Sequence, residues 1–305
     1  MSYLEPKNSL KLFGLESKFA YFKQLIDTNK FPKVSLLSGK KGLGKYTLFN
    51  HLLNGIFDGE YDYKNYEINS NSEVNNLISI GLFSNVVYLG SKNGKHLSID
   101  EIRVVKKNLQ KTSLNDMPRF IVIDDIETLN INCINSLLKL IEEPPNNNFF
   151  ILINNLTNKL SDTIKSRCLE FKFFLKEEEK NNIINSLITY HDLKTQIDYK
   201  FINITPGNFI LYNYLIEKNE VNFDDDIKTL LEKLLQLFKK DKDKTFIDLS
   251  IFAVEHFIIT KIRENNSDIP SLNKLKVDLL KDIKDFNDHS LNLKLVLNSI
   301  SNRIA

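Results

Sequence analysis

The stretch that decides the fold runs from Phe120 to Cys168 and reads FIVIDDIETLNINCINSLLKLIEEPPNNNFFILINNLTNKLSDTIKSRC. An apolar run, Phe120-Ile121-Val122-Ile123, ends on two carboxylates, Asp124 and Asp125. An amphipathic segment from Asn132 to Ile141 follows, with Ile134, Leu137, Leu138 and Ile141 at helical spacing, and it stops before Pro144-Pro145. A second apolar run, Phe149 to Ile153, ends on Asn154-Asn155, and the segment closes on Ser166-Arg167-Cys168. Runs that are apolar without alternation predict strands buried on both faces. Polar groups delivered at their carboxyl ends predict an open parallel α/β sheet with a site along that edge.

Working back from this segment, Val34-Ser35-Leu36-Leu37 predicts a third buried strand and Asn85 to Leu89 a fourth. Residues 16 to 30 carry Phe19, Phe22, Leu25 and Ile26 on one helical face, ended by Pro32. Residues 54 to 82 are Asn-, Tyr- and Asp-rich and read as an insertion with one or two short helices. Ser98 to Lys111 reads as a helix with Ile99, Ile102, Val105 and Leu109 on its apolar side and Asp100 and Glu101 in its first turn, where carboxylates favour the helix dipole. Working forward, Leu169 to Leu175 gives one more strand, and from Lys176 on the patterns are helical. Residues 176–190, 193–203 and 206–217 predict three short helices. Asp225 to Lys239, Thr245 to Arg263, Leu272 to Phe286 and a final segment through Leu291, Val296 and Ile300 predict a helical C-terminal region. The expected organisation is a nucleotide-binding-type α/β domain over 1–175, a three-helix lid over 176–218 and a helical collar over 219–305.

At 305 residues the chain has room for two or three domains of ~100–200 residues each. Lys+Arg of 41 against Asp+Glu of 39 leaves +2, so the net charge announces no electrostatic partner. Cys133 and Cys168 have no paired spacing, which argues against a disulfide framework and a four-cysteine zinc site. No signal-peptide-like or membrane-length apolar segment is read, so a soluble, cytoplasmic protein without a membrane partner is expected.

Gly39 to Thr47, GKKGLGKYT, follows the strand at Val34–Leu37 and precedes a helix read from Thr47 to Leu53. Gly39, Gly44 and Lys45 fit the spacing of a phosphate-binding loop, in which backbone N–H groups converge on phosphate oxygens and the lysine reaches the β- and γ-phosphates. Tyr46 stands where that pattern has the Ser or Thr that holds Mg²⁺, and Thr47 comes one residue late. Asp124 and Asp125 are candidates to order a metal and a water, or to do no more than cap a helix. Arg167, just after a short helix from Ser161 to Ser166 and just before a strand, can project away from its own subunit. The same residue elsewhere would read as a surface ion pair. His51, His96, His191, His256 and His289 show no metal-ligand spacing, and Arg103, Lys106, Lys107 and Lys111 form a basic helix face suited to solvent or to a phosphate backbone.

The block from Ile121 to Pro145, with its Leu-Leu-Lys-x-x-Glu-Glu-Pro-Pro ending, and Thr163 to Cys168 with Ser-Arg-Cys, resemble the AAA+ clamp-loader subunits of bacterial DNA polymerase III. The resemblance extends back through Ile99–Arg103 and the glycine loop, over roughly residues 11 to 175. No cysteine lies between the glycine loop and the paired carboxylates, where the gamma/tau motor subunits carry a zinc cluster. Thr205-Pro206-Gly207-Asn208-Phe209 offers no nucleotide-sensing arginine. In these features and in the Asp-Asp pair the chain looks like the delta-prime type.

The resemblance implies an AAA+ domain with lid and collar, and a chain that does not turn over ATP itself. Arg167 would be an arginine finger acting in trans on an adjacent motor subunit, and Asn154 or Asn155 would stand at the γ-phosphate sensor. Gly39, Gly42, Gly44, Lys45, Thr47, Asp124, Asp125, Asn154 and Asn155 would line a vestigial nucleotide pocket; whether it holds ATP or ADP with Mg²⁺ stays open, and no zinc is expected. The implied partners are the gamma/tau and delta subunits, the sliding clamp and, through the assembled complex, primer–template DNA. An active gamma/tau-like ATPase and an unrelated stand-alone P-loop protein are the alternatives.

Overall fold

The computed structural model describes residues 6–90, 97–109, 117–264, 269–289 and 291–304. The chain divides into two compact units: 1–191 with Thr205–Asn208, and Asp192–Ile204 with 209–305.

The first unit contains α1 (Glu16–Asp27), β1 (Val34–Ser38), α2 (Lys45–Phe57), α3 (Glu73–Ser79), β2 (Val86–Leu89), α4 (Ile99–Leu109), β3 (Arg119–Ile123), α5 (Ile131–Ile141), β4 (Asn148–Asn154), α6 (Asp162–Lys165), β5 (Leu169–Lys172) and α7 (Glu177–His191). The strands form one sheet in the order β2-β3-β4-β1-β5, and every neighbouring pair is parallel. The apolar runs are continuous because both faces of the sheet are covered. Phe120, Val122, Ile151 and Ile153 pack on one side with Phe19, Phe22, Leu48, Phe49 and Leu52 from α1 and α2. Ile121, Ile123, Phe150 and Leu152 pack on the other with Ile102 and Val105 of α4 and Cys133 and Leu137 of α5. Each such side chain contributes ~1.5–3 kcal/mol by leaving water.

The strand order changes side at β1, with every strand still parallel. The chain leaves β1 for the far edge at β2, returns through β3 and β4, and then crosses β1 to form β5. The crevice at the carboxyl ends of β1, β4 and β3 is where an open α/β sheet offers a site. Register fixes its floor: Ser38 pairs with Asn154, and Ile123 with Leu152.

Three local expectations are corrected. α2 runs a turn past Leu53, with the Asn54 side-chain Nδ2 donating to Asn50 O at 2.9 Å and Ile56 and Phe57 packed on the core. Strand β5 ends at Lys172, short of Leu175. The Phe173 amide donates to Ser38 O at 2.7 Å, and β1 has no residue beyond Ser38 to pair with. Residues 193–203 form no α-helix but a 3-10 turn, Tyr199–Phe201, where the Asp198 carboxylate accepts from the Lys200 amide at 3.2 Å. Such a side-chain bond competes with the helical ladder.

The second unit holds most of α8 (Pro206–Lys218), then α9 (Ile227–Asp241), α10 (Thr245–Glu264), α11 (Ile269–His289) and α12 (Leu293–Ile304). Helix α9 begins where Asp226 accepts from the Lys228 and Thr229 amides at 3.0 and 3.1 Å, an N-cap. α10 packs on α9 and α11, and α12 on α11 and α9. Leu231, Leu234, Leu235, Leu249, Val254, Leu279, Ile283 and Ile300 are buried among them. No helix among the described residues is long and apolar enough to cross a membrane.

Candidate functional site: a glycine loop bonded to its own lysine and an outlying arginine

The glycine loop begins as β1 ends, with the Gly39 amide donating to Asn154 O at 3.1 Å. Gly42 and Gly44 sit at φ 83° and 78°, left-handed backbone that side-chain-bearing residues rarely adopt. Gly44 is the N-cap residue of α2. The outer side of the loop is taken by Thr205–Asn208. Thr205 Oγ1 donates to Lys41 O at 2.8 Å, and the Gly207 amide donates to Gly42 O at 2.9 Å. A Cβ on Gly207 would lie 2.8 Å from the Gly42 Cα. The two glycines permit a backbone-to-backbone approach.

Lys45 is 3% exposed. Its Nζ donates to Gly39 O at 2.6 Å and to Lys40 O at 2.9 Å. The ammonium that a phosphate would claim is spent on carbonyls of its own loop. Burial pushes its pKa down to about 8, against the pull of the Asp124, Glu127 and Asp125 carboxylates. Between that value and the ordinary 10.5 the unfolded chain binds more protons than the folded one, so this group makes stability rise with pH. Stability measured by urea titration is expected to gain up to about 3 kcal/mol from Lys45 across this window. The gain should disappear in Lys45→Met; a Met variant with the same pH slope would show that Lys45 is not the group responsible.

At the next position Tyr46 meets the ring of Tyr88 edge-to-face, with centroids 5.0 Å apart. Tyr88 OH donates to Asp124 Oδ2 at 3.2 Å. Asp124 Oδ1 accepts from the Asp125 amide at 2.9 Å and from Asn155 Nδ2 at 3.1 Å. Burial, and next the Asp125 charge, raise the Asp124 pKa, and desolvation of the Tyr88 phenol, and next the Asp124 charge, push the Tyr88 pKa up. Asp125 stands at φ 53° at the start of a 3-10 turn, Ile126–Thr128, and its Oδ1 accepts from Asn155 Nδ2 at 2.7 Å.

Sequence reasoning passed over Glu127, which is 8% exposed. Its carboxylate accepts from the Asn155 amide at 3.1 Å, from the Thr157 amide at 3.2 Å and from Thr157 Oγ1 at 2.8 Å. It thereby ties the loop after β4 to the turn after β3. The one signal was a further carboxylate between the apolar Ile126 and Leu129, just after the Asp124-Asp125 pair. Asn154 turns away from the carboxylates: its Nδ2 donates to Ser38 Oγ at 3.3 Å, and its Oδ1 accepts from the Leu156 amide at 3.0 Å. Lys45, Asp124, Asp125 and Asn155 therefore form one cluster. Asn154 braces β1 against β4, and Thr47 lies half-buried in the first turn of α2.

Arg167 belongs to none of this. It precedes Leu169, which pairs with Ser35 near the start of β1. That is the amino end of the strands, ~13 Å of strand from the loop that follows Ser38. Its side chain is 35% exposed. Of the weaker candidates, Arg103 pairs with Asp100 at 3.1 Å on an exposed face, and His96 and Lys111 lie outside the described residues. His51 bonds Tyr61 OH at 3.1 Å and Ser9 O at 2.9 Å, and burial pushes its pKa down to about 4. Among the described residues no group of three or more His, Cys, Asp and Glu could hold a metal ion.

A family model described as DNA polymerase III, delta subunit, matches residues 14–176. The DNA polymerase III subunit delta' of Buchnera aphidicola subsp. Acyrthosiphon pisum is 33% identical over 179 residues, 56% of this chain and 54% of that protein. The subunit delta' of Bacillus subtilis is 24% identical over 214 residues, 70% of this chain and 61% of that one. The chain spans 26% to 54% of the length of the first curated relatives it matches. Among solved structures, a DNA polymerase III gamma subunit-related protein from Thermotoga maritima aligns with a TM-score of 0.51 at 17% identity, over 93% of this chain and 98% of that one. The fold is thus that of this gamma subunit-related protein, a parallel α/β sheet with a glycine loop after its first strand, followed by a helical C-terminal region.

Proposed function

We propose that this chain, which belongs to the family described as DNA polymerase III, delta subunit, is a delta-prime-like member of the clamp loader that supplies Arg167 to the ATP site of a neighbouring motor subunit. The observation that carries this reading is where Arg167 stands. It is partly exposed, and it sits at the end of the sheet opposite its own phosphate loop. A guanidinium there has no role in its own pocket, yet it can meet a phosphate presented by another molecule, where it stabilises charge developing in phosphoryl transfer.

The pocket's own residues support the second half of the reading, that this chain does not hydrolyse ATP. Mg-ATP needs a free lysine, a hydroxyl after it and an open carboxylate. Here Lys45 is bonded to Gly39 O and Lys40 O, Tyr46 replaces the hydroxyl residue and packs on Tyr88, and Asp124 is engaged by Tyr88 and Asn155. This donor set does not fit a magnesium nucleotide. In this reading the chain works in the cytoplasm with gamma/tau and delta subunits, and the assembled ring sets a sliding clamp on primer–template DNA.

The test is to purify the chain, mix it with a gamma/tau subunit, and measure co-elution on gel filtration and DNA-stimulated ATP turnover with and without it. Co-elution, no turnover by the chain alone, and faster turnover by the mixture are expected. Turnover by the isolated chain would favour a motor subunit instead. Failure to co-elute would favour a stand-alone P-loop protein.

A further inference from the structure

We infer that Glu142 is a positioning residue that holds the Arg167 guanidinium ready for a phosphate outside the chain; this rests on the reading of Arg167 as a group acting in trans. Arg167 Nε donates to Glu142 Oε1 at 2.8 Å, and Nη2 lies 2.8 Å from the same oxygen. Nη1 donates to Thr163 O at 2.9 Å and to Ser166 Oγ at 3.3 Å. Glu142 thus takes one edge of the fork, and the last turn of α6 takes Nη1. The second N–H of Nη2 has no acceptor among the described residues, and it is left for one that arrives from elsewhere.

The place of Glu142 is costly for any other purpose. It is the C-cap residue of α5, its amide bonded to Leu138 O at 3.0 Å. The negative end of the helix dipole disfavours a carboxylate there, and Glu143 adds a second acid. A cation at the same spot offsets this. The nearest one in the helix is Lys139, in its last turn, yet the carboxylate is bonded to a residue 25 positions further on. The pair is half exposed, at 35% for Arg167 and 48% for Glu142, so it does little for stability. What it does is remove freedom from a long side chain before the partner arrives. Ordering of the reacting groups then need not be supplied at the reaction. It also gives one physical reason why the Glu-Glu-Pro-Pro and Ser-Arg-Cys blocks occur together: one anchors the arginine that the other carries.

The test uses the reconstituted loader containing this chain, with DNA-stimulated ATPase read as separate kcat and KM. Glu142→Ala should lower kcat by up to about 10-fold with KM for ATP unchanged. Glu142→Asp, one methylene too short to keep the bond, should fall with it while folding as the parent does. Glu142→Gln, whose amide oxygen still accepts from Nε, should keep most of the rate. The double variant with Arg167→Ala should be no slower than Arg167→Ala alone. If Arg167→Ala lowers kcat while Glu142→Ala leaves it unchanged or raises it, the positioning role is overturned and the trans-acting arginine stands. If Arg167→Ala itself changes nothing, the reading of Arg167 falls first.

Discussion

Arg167→Ala is expected to leave the chain folded and in its complex, while the ATP site it completes loses on the order of 10³-fold or more in rate. The substitution removes a half-exposed ion pair with Glu142, a contact worth ~0.2–1 kcal/mol, so the urea midpoint of the isolated chain should barely move. The loss should appear in the assembled loader, where a guanidinium no longer meets the charge that builds on the transferring phosphoryl group. Steady-state ATP turnover of a ring with further sites should fall by less than the damaged site does. Clamp loading on primed DNA is the more direct measure. Lysine at 167 should not restore the rate. It keeps the charge but loses the fork that meets Glu142 on one edge and an acceptor on another. Wild-type loading rates with Arg167→Ala would remove the central proposal.

The second large effect is on stability. Glu127→Ala should cost about 1–3 kcal/mol, because it leaves the buried Asn155 amide without its acceptor, whereas Thr157 is exposed and water replaces the carboxylate there. Glu127→Gln keeps one carbonyl oxygen and should cost less than half as much. A shifted urea midpoint with an unchanged slope would locate the effect in the folded state. The same variants report on the pocket: Asn155 bridges Asp124 and Asp125, and its backbone is anchored by Glu127. An Ala variant as stable as the parent would mean that solvent replaces the carboxylate, and the brace would then be dispensable.

The central strands were legible because each is buried on both faces. Phe120–Ile123 and Phe149–Ile153 read as unbroken apolar runs for the same reason that they pack between α1–α2 on one side and α4–α5 on the other. The glycine loop was legible from spacing alone, since Gly42 and Gly44 answer to backbone geometry that only neighbours in sequence impose. What Lys45 does was not legible. Its bonding to Gly39 O and Lys40 O depends on the loop closing over it, and the contact of Gly207 with Gly42 joins residues 165 positions apart. Tyr88 and Glu127 gave no motif, because each acts through a partner on another strand end. Residues 193–203 carried a helical pattern and became a 3-10 turn, where the Asp198 side chain takes a backbone amide that the helix needed.

Helix α5 joins the two places where chemistry is written into this sheet. At its amino end, two residues after Thr128 closes the turn carrying Asp125 and Glu127, Asn130 caps it by accepting from the Cys133 amide at 2.9 Å; at its carboxyl end stands Glu142. Eleven residues make a rod of ~16 Å, too short to bend and seated on the sheet by Cys133, Leu137 and Ile141. A tilt of this rod at its Asn130 end would therefore be carried to Glu142 with little loss. The carboxylate cluster and the arginine that Glu142 bonds are thus two ends of one lever.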